Sequence, residues 1–229
     1  MIEAALDTSL GFALAVRRDG ESLLDAGIPA MGRESDRILL PWLTEQFALV
    51  GLKGRDVERW TLGTGPGSFA GLRCGIALVK GIALVSGARL RGVPTSVAIA
   101  AALADKAATT VGVLHDGRCG QVLLARVVRE AAGWRLTENP APLDPDELQA
   151  SVNACDAYVT LQAAALPPLP ETVAKRLSAA EAVSAARLLE ASEALYPWPE
   201  AGDMAAAERS VEPLYVRQAV FVKPAELRR

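Results

Sequence analysis

The feature that most restricts the fold of this chain is a repeat. Asp7 is followed four residues later by Gly11 and an apolar strand, and Asp116 four residues later by Gly120 and another. The two aspartates differ in number by 109. The same order of elements surrounds each. In the first half, residues 2–6, 11–16 and 22–28 read as strands, with Asp19-Gly20 as a hairpin turn. A helix follows from Ser35, carrying Leu39, Leu43, Phe47 and Val50 at helical spacing and closing at Gly51. Pro41 inside it predicts a kink or a later start, and Trp42 falls off the apolar stripe, as a half-buried or partner-contacting ring. Then come strand 59–62, helix 72–85, strand 89–93 and a small helix, 97–106. The second half reads as strands 110–114, 121–128 and 134–137, helix 144–153, strand 158–161 and helix 179–195. The order β-β-β-α-β-α, met twice, predicts an α/β protein of two like halves, 1–107 and 108–229. The apolar tail around Leu214 is expected to dock back on the body.

Between strand 59–62 and helix 72–85 lies the densest glycine cluster, Gly63, Gly65, Gly67, Gly71 and Gly75. A glycine-rich turn at a helix N-terminus points N–H groups at an anion. The spacing, however, fails both common nucleotide patterns. No Lys follows the last glycine, and Gly71 comes one residue too late for Gly-x-Gly-x-x-Gly. The spacing favours a steric role, with Gly71 and Gly75 on one helical face admitting a close neighbour.

Composition narrows the function classes. Half of the 229 residues are apolar but only 5% are aromatic, so a large core must rest on Ala, Val and Leu. A net charge of −3 argues against tight autonomous nucleic-acid binding. Three scattered cysteines, Cys74, Cys119 and Cys155, suit a reducing cytoplasm. The N-terminal residues lack the basic start of a signal peptide, and no uncharged run is long enough to span a bilayer, so a cytoplasmic protein without membrane contact is expected.

His115 is the sole histidine, which removes any multi-histidine metal site; it is expected as an exposed loop residue. Its neighbour Asp116 points to the opposite face of a strand end and orients it poorly for a Ser-His-Asp triad. Asp7 and Asp116, at equivalent turns, are open to two readings. They face each other to hold Mg²⁺ and phosphates, or each accepts backbone N–H groups of its own turn. Arg73 and Arg118 are candidates for anion contacts or for pairing these acids.

Several segments together resemble one family. They are Asp7-Thr8-Ser9, Ser35 with Leu39-Leu40-Pro41, Gly65-Pro66-Gly67-Ser68-Phe69-Ala70-Gly71-Leu72-Arg73-Cys74-Gly75, Gly92-Val93, Asp116-Gly117-Arg118 and Pro213-Leu214-Tyr215-Val216-Arg217. The chain resembles the TsaB (YeaZ) family nearly end to end. That resemblance implies the duplicated actin/Hsp70/sugar-kinase-like (RNase H-like) fold. It also implies a non-catalytic subunit that pairs with a homologous catalytic subunit, TsaD, and an ATPase, TsaE. The complex transfers a threonylcarbamoyl group to N6 of the adenosine beside the anticodon of tRNAs reading codons that start with A. No cofactor is then expected on this chain alone; ATP or ADP and a metal belong to the partner subunits, and tRNA is met through the complex.

Aligned on Gly92-Val93, the positions of the catalytic subunit's two metal-binding histidines are Thr95 and Ile99, which cannot replace them. Glu34 stands where relatives carry His, and Ala70 where many carry Thr. The resemblance places the meeting surface with TsaD, or with a second copy, on the first helix and the helix after the glycines. Leu39, Leu43, Phe47, Leu72, Ile76 and Val79 are its expected, partly exposed residues. Asp7, Thr8, Ser9, Gly65, Gly67, Ser68, Arg73, Asp116 and Arg118 remain candidate anion or nucleotide contacts. Two alternatives are an ATP-dependent small-molecule kinase of the same fold and a stand-alone homodimeric binding module.

Overall fold

The computed structural model describes residues 1–29, 35–182, 184–214 and 216. In the first half, β1 (Ile2–Asp7), β2 (Gly11–Arg18) and β3 (Glu21–Pro29) form an antiparallel meander, followed by α1 (Ser35–Leu49). β4 (Arg59–Gly63), α2 (Phe69–Ser86), β5 (Arg89–Val93) and α3 (Thr95–Leu103) complete it. β4 joins β1 in parallel and β5 joins β4, giving the sheet order β3-β2-β1-β4-β5.

The second half repeats the plan. β6 (Thr110–Asp116), β7 (Val122–Glu130) and β8 (Gly133–Leu136) form the meander, and β9 (Ala141–Leu143) adds to β7. α4 (Pro145–Ala150), β10 (Ala157–Thr160), α5 (Glu171–Ala174) and β11 (Leu177–Ala179) follow. β10 and β11 run parallel to β6, so the order β8-β7-β6-β10-β11 matches the first sheet strand for strand. The chain closes with α6 (Ala186–Leu189) and α7 (Met204–Ser210).

Three cores define the layers. One lies between the first sheet and α1 and α2, built from Leu6, Leu14, Leu39, Leu43, Phe47, Trp60, Ile76 and Val79. The middle core packs α3 and α6 between the two sheets, with Ala5, Ala13 and Ala15 facing Val111, Val113 and Val127. Alanines there let the layers approach closely, which suits a chain poor in aromatic residues. The third covers the far face of the second sheet, with Leu114, Leu148, Tyr158 and Val173.

Two expectations are corrected here. Leu39, Leu43, Phe47, Leu72, Ile76 and Val79 are not partly exposed; all six are buried, none above 6%. The stripe that repeats at helical spacing is the side facing the sheet, as the hydrophobic effect requires. Second, residues 179–195 do not form one helix. Residue 179 ends β11, and among the described residues of this span only Ala186–Leu189 forms an α-helix. Leu188 and Leu189 are drawn into the middle core, and the Ser192 hydroxyl accepts from the Ala194 N–H, turning the chain away from a helical path. Elsewhere α1 runs through Pro41, and Trp42 is half-buried against Phe12, ring centroids 5.6 Å apart. Val211 is buried in the first core and the Leu214 N–H donates to the Thr64 carbonyl at 2.8 Å. Tyr215, Arg217 and Glu34 lie outside the described residues.

Candidate functional site

The turn after β1 and the glycine-rich turn after β4 meet face to face. Asp7 Oδ1 accepts from the Ser9 N–H at 2.8 Å and the Ser9 hydroxyl at 2.5 Å. Its Oδ2 accepts from the Thr95 hydroxyl at 2.6 Å, and Thr95 Oγ1 accepts from the Gly65 N–H at 3.0 Å. Three segments far apart in sequence are thus tied at one carboxyl group. Burial raises the pKa of Asp7, against the hydrogen bonds from Ser9 and Thr95.

The glycines make this approach sterically allowed. A Cβ on Gly71 would lie 2.3 Å from the Thr8 carbonyl oxygen, and one on Gly75 2.4 Å from Thr8 Oγ1. A Cβ on Gly67 would meet the Ser9 carbonyl oxygen at 2.5 Å. Gly71 and Gly75 therefore admit a close neighbour, as their spacing suggested, and that neighbour is the Asp7–Ser9 turn.

This packing closes the anion cradle. The Gly65 N–H is spent on Thr95, the Ser68 N–H donates to the Ser9 carbonyl at 2.7 Å, and the Ser68 hydroxyl caps α2 by accepting from Gly71. Asp7, Thr8, Ser9 and Gly65 are buried, while Gly67 and Ser68 reach the surface. The Arg73 guanidinium lies 3.7 Å from the Phe69 ring centroid. Asp116 accepts from the Arg118 N–H at 2.8 Å and pairs with its guanidinium at 3.1 Å. Asp116 thus serves its own turn, while Asp7 serves its own turn and binds Thr95 as well. Among the described residues, no three of His, Cys, Asp and Glu come together as a metal site. Thr95 and Ile99 are buried, with Thr95 engaged by Asp7; these positions do not fit a metal.

His115 corrects another expectation. It is not an exposed loop residue but lies within β6, next to its last residue, 2% exposed, with Nε2 3.0 Å from the Ser96 hydroxyl on α3. Burial pushes its pKa down to about 4. Ser96 on α3, from the other half, packs against it, a tertiary event invisible in the local sequence. Ser96 is itself fully buried, so the pair offers no nucleophile to a substrate.

What the chain leaves open is a helical face. α2 is 18 residues long with a mean hydropathy of 1.6, yet only 33% of it is buried. It alone among the described residues is long and apolar enough to cross a membrane, but its other face is built into the first core. Ala70, Arg73, Ala77, Gly81 and Leu84 follow one another at helical spacing on the exposed side. Leu84 and Val85 are 75% and 86% exposed, and on α1 Leu40 and Leu49 are exposed on either side of the buried stripe. The six residues named from the sequence lie on the opposite, buried side of these helices. The available signal was that α2 carries apolar residues well beyond one buried stripe, with Arg73 and Lys80 its only charges.

The fold and this site define a protein of the duplicated actin-like class whose first-turn carboxylate is sealed under α2 and whose α1–α2 face is open. A family model described as TsaD, tRNA N6-adenosine threonylcarbamoyltransferase, matches residues 29–138. The tRNA threonylcarbamoyladenosine biosynthesis protein TsaB of Escherichia coli is 32% identical over 145 residues, 62% of each chain. The Haemophilus influenzae protein of the same name is 35% identical over 102 residues, 43% of this chain and 42% of that one. The matched region thus spans less than two thirds of those relatives. In fold, YeaZ from Pseudomonas aeruginosa superposes with a TM-score of 0.67 at 22% identity, covering 93% of this chain and 99% of that one. A second solved structure, described as similar to peptidase YeaZ from that organism, gives 0.70 at 23% identity, covering 94% and 99%. The chain is thus similar in sequence to TsaB proteins over part of its length, and in fold to YeaZ over nearly all of it.

Proposed function

We propose that this chain is a non-catalytic subunit in tRNA threonylcarbamoyladenosine synthesis, acting in the cytoplasm by docking its α1–α2 face on a homologous TsaD-like catalytic subunit. The observation that carries this reading is the 18-residue apolar α2 with only a third of its residues buried. An exposed apolar patch of that kind marks a protein partner surface. The small residues Ala70, Ala77 and Gly81 permit a partner helix to come close, and a Cβ on Gly81 would meet nothing within 4 Å among the described residues. The same face serves a second copy of the chain when the catalytic subunit is absent. A TsaE-like ATPase and the tRNA join through the assembled complex, whose metal and nucleotide sit on the other subunits. The names of the relatives support the pathway. The closed Asp7 turn speaks against the small-molecule kinase alternative, which needs that carboxylate at a phosphate cleft.

Reconstitution tests it. The chain is combined with a TsaD-like subunit, a TsaE-like ATPase, tRNA and threonylcarbamoyl-adenylate, and the modified adenosine is counted. Omitting the chain, or supplying Ala77→Arg or Leu84→Asp, should lower modification at least tenfold and abolish co-elution with the catalytic subunit. Undiminished modification without the chain would refute the proposal.

A further inference from the structure

Away from that face, the first sheet carries an arginine row on the side turned toward the C-terminal segment. Register sets Arg17 opposite Glu3, Glu3 beside Arg59, and Arg59 beside Arg89. Arg91 follows on β5. Glu3 bonds Arg17 at 2.6 Å and lies 3.9 Å from Arg59, and Glu193 lies 3.9 Å from Arg59. Four guanidiniums therefore share two carboxylates.

Arg91 is buried and among the described residues its hydrogen bonds go to neutral acceptors: Thr61 Oγ1 at 3.0 Å and the carbonyls of Tyr196 and Leu189 at 3.2 and 3.4 Å. Arg89 donates to the Pro199 carbonyl at 2.6 Å, and its buried Nε has no hydrogen-bond partner among the described residues. The Trp198 ring centroid sits 4.6, 5.4 and 5.8 Å from the guanidinium carbons of Arg91, Arg59 and Arg89. Its Nε1–H donates to Glu193 at 2.8 Å. Beside Trp198 opens a cavity of about 420 Å³ whose walls include Tyr196, Pro197, Pro199 and Arg209, with no carboxylate among the lining residues. Arg209, in the last turn of α7, is exposed and makes no ion pair among the described residues.

We propose that this cavity binds a planar anion of mononucleotide size, its ring packed against Trp198 and Pro199 and its phosphate held by Arg209 in the field of the arginine row. The volume falls within the range of small-ligand sites, which are largely apolar with a few placed polar groups. Aromatic rings beside cationic side chains form a stacking platform for a base and its phosphate. In a chain of net charge −3, an unbalanced cluster of arginines is a local exception that concentrates anions. The shared chemistry is one nucleotide unit, free or within an RNA strand.

Titration calorimetry on the full chain tests this with four probes: adenosine monophosphate, adenosine, inorganic phosphate and a short RNA hairpin. The monophosphate, or the hairpin if the unit belongs to a strand, should bind at least tenfold more tightly than adenosine or phosphate. Arg209→Glu, an exposed change expected to leave the thermal melt unaltered, should weaken that binding at least tenfold, and Trp198→Ala likewise. Binding unchanged in Arg209→Glu, phosphate alone matching the nucleotide, or no binding of either nucleotide probe at millimolar concentration would overturn the inference. Because Arg209 and Trp198 are not among the proposed docking residues, loss of nucleotide binding with co-elution intact isolates this site from the subunit role.

Discussion

His115 makes the stability of this protein depend on pH in a calculable way. Its folded-state pKa is depressed to about 4 from an ordinary 6.5 because burial disfavours the imidazolium. Above pH 6.5 both folded and unfolded states hold a neutral ring and nothing is lost. As the pH falls from 6.5 toward 4 the unfolded chain takes up a proton that the folded one refuses, and stability drains away. The full loss is roughly 3 kcal/mol at and below pH 4, and about 2 kcal/mol of it is gone by pH 5. Asp7 acts in the opposite sense, since burial raises its pKa and the folded state takes up that proton first on acidification. The substitution His115→Gln keeps an amide opposite the Ser96 hydroxyl and removes the titration. Urea unfolding of both proteins between pH 8 and pH 4.5 isolates the effect, because Asp7 and the surface groups cancel in the difference. Relative to wild type, the variant should gain about 2 kcal/mol between pH 7.5 and pH 5. A difference that stays flat across that interval would mean that the imidazole is solvated, and the buried Ser96–His115 contact would be wrong.

Other outcomes follow from the same packing. Gly71→Ala and Gly75→Ala should each destabilise by about 1–3 kcal/mol in denaturant unfolding, since both insert a methyl group against Thr8. Thr8→Ala should partly rescue Gly75→Ala, whose clash is with the Thr8 side chain, but not Gly71→Ala, whose clash is with its carbonyl; equal rescue would refute this geometry. Gly81→Ala, with nothing within 4 Å, should instead stabilise the isolated chain by roughly 0.5–1 kcal/mol in the same assay. Arg91→Ala should cost about 2–4 kcal/mol, as it strands the Thr61 hydroxyl and loosens the Leu189–Pro199 segment; a thermal melt within a degree of wild type would contradict that.

Local pattern determined much of this protein. Apolar runs, the Asp19-Gly20 turn and helical spacing made both meanders and α1 to α3 legible, because period and turn chemistry are written within a few residues. The repeat at Asp7 and Asp116 predicted a two-fold plan, and the two sheets share it. The spacing of Gly71 and Gly75 told of a close neighbour, though not which one. Tertiary structure decided the rest. Which flank of α1 and α2 is hidden depends on where the first sheet lies, so the stripe expected at a partner became core. His115 is buried on β6 where α3, from the other half, brings Ser96 against it. Arg17, Glu3, Arg59 and Arg89 form a row only through the pairing of four strands, and Trp198 meets them from far along the chain. Energies of this kind belong to contacts between segments distant in sequence, and no local window contains both partners.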